Sequence, residues 1–208
     1  MPESNAVRSF CEVTSALILS WKGKVILVLG FTPPYVHIAR GSRVDVAAMI
    51  DALGRQGFVA RSVEGTGMKS SEGMYTQLAF ALNFPGSFGR NFDALQDCLT
   101  DLDWYPQHGA IILAIHDAEQ FLEDEPDETM HILANVFHRA GQSWGGQRWS
   151  GYYDRVPTPF HVLLSSEQNE SHIDRRLATV PYDVVDLSNG EVGVAFKYRF
   201  DLHHLADE

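Results

Sequence analysis

Three aspartates recur at every fourth position of one short stretch, and carboxylates at this spacing can bind cationic groups of a partner. They are Asp93, Asp97 and Asp101. On an α-helix, residues four apart share one face, so three like charges there repel one another and weaken the helix slightly. Folding alone does not require such a row. It suits a surface that meets Arg or Lys side chains, and an ordinary solvated helix face is the alternative interpretation.

A helix that begins after Asn91 is predicted to hold these carboxylates. The turn Pro85–Gly89 precedes it, because Pro fixes one backbone angle there and Gly frees others. The short amide of Asn91 can accept from the free N–H groups of the first helical turn. Away from the aspartates, apolar residues recur at spacings of three and four and predict a buried stripe. The stripe consists of Phe92, Leu95, Leu99 and Leu102, with Cys98 beside it.

The stretch from Leu82 to Trp104, LNFPGSFGRNFDALQDCLTDLDW, resembles the barstar family of intracellular inhibitors of bacterial secreted ribonucleases. The matching residues are Pro85, Phe88-Gly89, Asn91, Asp93-Ala94-Leu95 and Asp97-Cys98-Leu99-Thr100. The resemblance extends back to about Phe58. It returns in the segments Ala110–Ile115, Val136-Phe137 and Phe160–Ser165, so it covers the middle of the chain and neither end.

The resemblance implies an inhibitor or immunity protein whose partner is a basic ribonuclease or nuclease toxin. Its acidic helix face would plug the partner's active site, with Asp93 and Asp97 placed where substrate phosphates would bind. Asp101 lies one turn further, toward the rim. The partner-binding residues predicted in this way are Phe88, Gly89, Asn91, Asp93, Gln96, Asp97, Asp101 and Arg139.

Three positions differ from the family prototype and bear on which enzyme is bound. Ser87, Gln96 and Arg139 stand where the prototype has a tyrosine, a tryptophan and a glutamate. Aromatic residues often dominate interface energy, so other aromatic residues are candidate replacement anchors. Packing in the core or in loops is the alternative for them. The candidates are Trp104, Trp144, Trp149, Tyr152 and Tyr153.

The predicted elements indicate an α/β, barstar-like fold: a small parallel β-sheet of three or four strands flanked by helices, with extra β-hairpins at both ends. Strand, helix and strand at 35–39, 44–53 and 58–63 indicate a parallel βαβ unit. The apolar run Ala110–Ile115 predicts a central strand covered on both faces. Further helices are expected at about 72–82 and 127–140, and a last core strand at 160–165.

Two segments between these elements are predicted to be loops. The run from His116 to Thr129 carries seven acidic residues and is expected to be a solvated loop, which could also widen the acidic face. The segment 141–155, rich in Gly, Trp and Tyr, has no periodicity and predicts a long loop.

We divide the chain into an N-terminal β-hairpin extension at 1–33, a barstar-like α/β domain at 34–166 and a C-terminal β-hairpin extension at 167–208. The first hairpin joins strands at 13–20 and 25–29. The second joins 182–186 to 192–200 across Asn189-Gly190, a pair that favours tight primed turns. The two hairpins could pair in a second small sheet.

Composition points to a protein partner. The net charge of -11 argues against direct binding of nucleic acid, whose phosphates would be repelled. The chain has no apolar stretch of membrane-spanning length and no secretory leader, so we expect no membrane association and a cytoplasmic location. Cys11 and Cys98 are predicted to be reduced thiols.

Two other functions are compatible with these residues. One is a non-inhibitory regulatory module that binds protein through a barstar-like fold. The other is a metal-dependent enzyme that uses His116, His131 or His138. Helical metal sites generally use a spacing of three or four, whereas His131 and His138 are seven apart. We therefore predict no enzymatic activity, no cofactor and no metal ion.

Overall fold

A computed structural model describes residues 16–21, 24–105, 109–146, 148–150, 153–155, 157–168, 172–186 and 194–196. These residues form ten strands and five α-helices. The strands are β1 (Ala16–Trp21), β2 (Lys24–Gly30), β3 (Val36–Arg40), β4 (Val59–Glu64), β5 (Ile111–His116), β6 (Arg148–Ser150), β7 (Tyr153–Arg155), β8 (Phe160–Ser166), β9 (Asp183–Asp186) and β10 (Val194–Phe196). The helices are α1 (Arg43–Arg55), α2 (Ser71–Ala81), α3 (Phe92–Asp101), α4 (Asp127–Gly145) and α5 (His172–Arg176).

A six-stranded sheet in the order β10-β9-β3-β8-β5-β4 organises the fold. From β9 to β4 all neighbouring strands are parallel, and β10 is antiparallel at one edge. All six residues of β5 are buried, which confirms the predicted central strand. Ile111 and Leu113 pack into the core that α2, α3 and α4 cover, whereas Ile112 packs on the other face with the residues of α1. The predicted α/β architecture is confirmed.

The terminal hairpins do not pair in the way that the sequence suggested. β1 and β2 form an antiparallel sheet of their own among the described residues. β9 instead joins the main sheet by parallel pairing with β3, and β10 pairs with β9. The suggestion that the two hairpins pair in a second sheet was wrong. β9 joins the main sheet instead, because β3 presents an edge that a fifth parallel strand can extend. Residues 13–15, the turn at 188–190 and the ends of the predicted 192–200 strand lie outside the described residues.

Helix α4 continues five residues beyond its predicted end at Ala140, so the expected loop over 141–155 was wrong. Gly141 looks like a helix breaker in the sequence, but it is a close-packing position. A Cβ added there would lie 2.3 Å from Cγ of Tyr35. Trp144 in the added turn is buried. Beyond the helix, β6 and β7 pair as a short antiparallel hairpin.

The segment after β8 is tied to the domain by two buried arginines. Arg176 donates to the carbonyl oxygens of Phe121 and Leu122 at 3.0 and 2.9 Å, and its Nε donates to Asp127 at 2.8 Å. Arg40 forms a buried ion pair with Asp174. The guanidinium of Arg176 on α5 therefore holds the acidic loop after β5, which is only partly the solvated loop that was predicted. Its apolar members, Ala118 among them, are buried in the core.

Candidate functional site

Helix α3 has one fully buried side and one exposed side. Leu95, Leu99 and Leu102 are completely buried, as the apolar stripe predicted, and Phe92 packs edge-on against Tyr75 at 5.8 Å between ring centroids. The helix begins where the sequence placed it, because Oδ1 of Asn91 accepts from the N–H of Ala94 at 2.8 Å. Packing and capping together fix which face of α3 meets solvent.

Asp93, Asp97 and Asp101 are all exposed, as predicted. At 1.5 Å of rise per residue, neighbouring members of this row are about 6 Å apart along the helix axis. Among the described residues, no Arg, Lys or His forms an ion pair with Asp93 or Asp97. Two carboxylates at fixed spacing are thus open to cations from outside the chain.

The turn before α3 is anchored to α2. Arg90, at a positive φ of 49°, places its guanidinium against the carboxylate of Glu72 at 2.5 Å and against the hydroxyl of Thr76. Phe88 is half-buried between Phe84 and Tyr75, at centroid distances of 5.0 and 5.9 Å. These contacts hold the entry to the acidic helix in one position.

The remaining predicted partner-binding residues differ in how they could act. Gly89 is exposed beside the cap, and Gln96 is half-buried between the two aspartates. Asn91 is exposed but already engaged as the cap. Arg139 is exposed on α4, outside the acidic row of α3. The structure thus brings the predicted residues of α3 and its turn together, with Arg139 on a separate helix.

Of the candidate aromatic anchors, Trp144 is excluded by its position. It is buried, and its Nε1 donates to the carbonyl oxygen of Leu99 at 2.7 Å, so it supports α3 from within. Trp104 is 39% exposed and remains accessible to a partner. The side chains of Trp149, Tyr152 and Tyr153 lie outside the part of the chain that the structure describes.

Cys98 is a free, half-buried thiol on α3. Burial raises the pKa of this thiol, and the neighbouring carboxylates of Asp97 and Asp101 raise it further. A raised pKa keeps the sulfur protonated and poorly nucleophilic at neutral pH. Cys98 therefore acts as a packing residue of the helix. Cys11 lies outside the described residues.

The three histidines considered for a metal or catalytic site have separate partners. His131 Nε2 donates to the carbonyl of Arg176 at 3.1 Å, while His138 packs edge-on against Tyr35. His116 lies 3.1 Å from the Ser62 hydroxyl, and burial lowers the pKa of its imidazole. Within the described ranges, no group of three or more His, Cys, Asp or Glu side chains is placed to hold a metal ion. Nor does any helix among those residues combine the length and apolarity needed to cross a bilayer.

Comparison with known proteins identifies one family. The family model for barstar, described as barnase inhibitor, matches residues 58–165, more than half of the chain. No curated protein matches the chain. One solved structure with a similar chain is that of Drosophila ORC bound to AT-rich DNA and Cdc6, at 13% identity and a TM-score of 0.43. That alignment covers 74% of this chain and 48% of the other, and at this level it has no bearing on function.

Proposed function

Because the chain belongs to the barstar family, a family of inhibitors, we propose that it inhibits a ribonuclease or ribonuclease-like toxin. The acidic face of α3 enters the partner's basic active site, and Asp93 and Asp97 take the positions of substrate phosphates. We propose that it acts in the cytoplasm as an immunity protein. The chain itself performs no turnover in this scheme.

One observation carries the proposal: α3 buries Leu95 and Leu99 completely while it exposes Asp93 and Asp97 on its other side. Arg–carboxylate hydrogen bonds are charge-assisted and often bidentate, so a cleft that holds phosphates also holds such carboxylates. A helix fixed on its inner face loses little conformational entropy on binding. The net charge of -11 adds long-range attraction to a positive cleft.

The alternative to a nuclease inhibitor is a regulatory module that binds a non-nuclease protein. The same acidic face would serve it, since any basic surface attracts carboxylates. This alternative needs a test because three residues differ from the family prototype: Ser87, Gln96 and Arg139.

The test is affinity capture from the native cell with the tagged full chain, followed by an RNA cleavage assay on the captured protein. We expect a basic nuclease whose cleavage stops when the chain is added in equimolar amount. Capture of a nuclease that remains fully active, or of a non-nuclease alone, would contradict inhibition and favour the regulatory module. RNA cleavage by the purified chain alone would contradict both.

A further inference from the structure

A row of contacting aromatic rings connects the entry of α3 to an exposed tryptophan beyond its end. Phe88, just before the helix, lies 5.0 Å from Phe84, and Phe84 lies 6.3 Å from Trp104, measured between ring centroids. Trp104 follows Asp101 by three residues. The row thus joins the two ends of the acidic helix, and Trp104 is its most exposed described member.

The Trp104 ring is held in one orientation although it is 39% exposed. Its Nε1 donates to the carbonyl oxygen of Leu82, at the end of α2, at 2.8 Å. Its ring meets Phe84 edge-on at an interplanar angle of 79°. A fixed aromatic surface offers contact area without the entropy cost of ordering a mobile side chain.

The charges around Trp104 favour a cationic partner group. Asp101 and Asp103 are exposed within three residues of it, and the faces of an indole ring carry negative potential themselves. The next residue, Tyr105, already has the Arg61 guanidinium 5.1 Å from its ring centroid. In the described part of the chain, no arginine or lysine lies over Trp104 in the same way.

We propose that Trp104 is a second anchor of the partner interface and stacks against an arginine side chain of the basic nuclease. Arginine fits better than lysine because its planar, weakly hydrated guanidinium stacks on aromatic faces, whereas the lysine ammonium is a compact, strongly hydrated charge. The inference rests on the proposed function, since the arginine belongs to the same partner. It assigns an aromatic contact to a position other than 87 and 96, where the family prototype has a tyrosine and a tryptophan and this chain has Ser87 and Gln96.

The partner test compares three variants with the captured nuclease as ligand. Trp104→Leu keeps apolar bulk against Phe84 but removes the aromatic face, and we expect binding to weaken about tenfold. Trp104→Phe retains a ring, so its affinity should stay within about threefold of the parent. Phe80→Leu is the matched control, because Phe80 is 85% exposed on α2 and outside the ring row. Its affinity should be unchanged, and thermal unfolding checks that each variant is folded.

A second measurement needs no partner. A tetra-arginine peptide is titrated into the full chain while the indole Nε1–H resonance of Trp104 is followed by NMR, assigned through its loss in Trp104→Leu. We expect a saturable shift that is larger than the shift caused by tetra-lysine. Equal shifts with the two peptides, or none, would overturn the inference.

The two measurements separate this inference from the proposed function. If Asp97→Ala weakens nuclease binding and Trp104→Leu does not, the proposed function stands and the Trp104 anchor is wrong. If capture yields no nuclease, the proposed function is wrong, and the anchor on a nuclease falls with it.

Discussion

Trp144 on α4 donates a hydrogen bond from its indole Nε1 to the carbonyl oxygen of Leu99 on α3, at 2.7 Å, and both residues are buried. Leu99 lies in the last turn of its helix, where carbonyl groups lack intrahelical partners. The bond therefore satisfies a helix-end carbonyl from the core side. It also fixes the helix whose opposite side carries Asp93 and Asp97.

Trp144→Phe should lower the free energy of unfolding by about 1–3 kcal/mol, because the Leu99 carbonyl stays buried without its donor. Urea unfolding measures this loss. The matched control is Trp104→Phe, which removes an indole donor from a partly exposed site and should cost less. Equal losses in the two variants would show that the buried bond does not support α3.

Acid pH should destabilise the fold through a buried histidine pair. His37 donates from Nε2 to Nδ1 of His161 at 2.8 Å, and His161 donates from its own Nε2 to the carbonyl of Gly30 at 2.9 Å. Burial lowers the pKa of His161 to about 4 and holds that of His37 well below its usual value.

The direction of the pH effect follows from these pKa values. Between about pH 6.5, the ordinary histidine pKa, and about 4, the unfolded chain binds protons that the folded chain does not. The stabilisation is complete above pH 6.5 and is lost as the pH falls through this window, on the order of 3 kcal/mol for His161. Urea unfolding at a series of pH values should show this slope. His161→Gln should flatten it more than His138→Gln does, and an unchanged slope in His161→Gln would contradict the assignment.

Arg176 should be a key stabilising residue of the C-terminal segment. Arg176→Lys keeps the charge but loses the planar set of donors to the carbonyls of Phe121 and Leu122, so we expect a loss of about 2–3 kcal/mol. Arg175→Lys, at the exposed neighbouring position, should change stability by less than about 0.5 kcal/mol. Chemical denaturation compares them, and similar values for both would mean that the buried arginine contributes little.

The parts of the fold with strong local signals were predictable from the sequence. The Asn91 cap, the stripe of Leu95 and Leu99 and the buried run of β5 each follow from residue type and spacing over about ten residues. Other features depend on distant contacts that no local pattern contains. Gly141 continues a helix because Tyr35 packs on it, and β9 pairs with β3 from nearly 150 residues away in the chain. The burial of Trp144 depends on the same extension of α4.

The candidate site divides in the same way. The exposure of Asp93, Asp97 and Asp101 follows from helical periodicity. Helical periodicity does not show which tryptophan stays accessible, because Trp104 and Trp144 both lie near helix ends. Trp144 is buried where α4 packs on α3 and bonds the Leu99 carbonyl, whereas Trp104 packs against Leu82 and Phe84 and stays partly exposed.

Association with the basic partner should be steered by charge. Because the chain has a net charge of -11, raising the salt concentration from about 0.05 to 0.5 M should slow the association rate far more than it speeds dissociation. Stopped-flow mixing measures both rates. An association rate independent of salt would contradict steering by the acidic surface.

The affinity of the captured nuclease for an Asp93→Asn, Asp97→Asn double variant tests the central claim most directly. Its control is Asp51→Asn with Glu128→Gln, which removes two exposed carboxylates from α1 and α4 instead. We predict that the α3 variant binds at least about 100-fold more weakly, because cations buried at the interface lose their counter-charges. Among single changes to alanine, Asp97 should matter most, then Asp93, then Asp101. The control should bind within about threefold of the parent, and both variants should keep their unfolding free energy. Equal affinities for the α3 variant and its control would show that the acidic face of α3 is not the binding site.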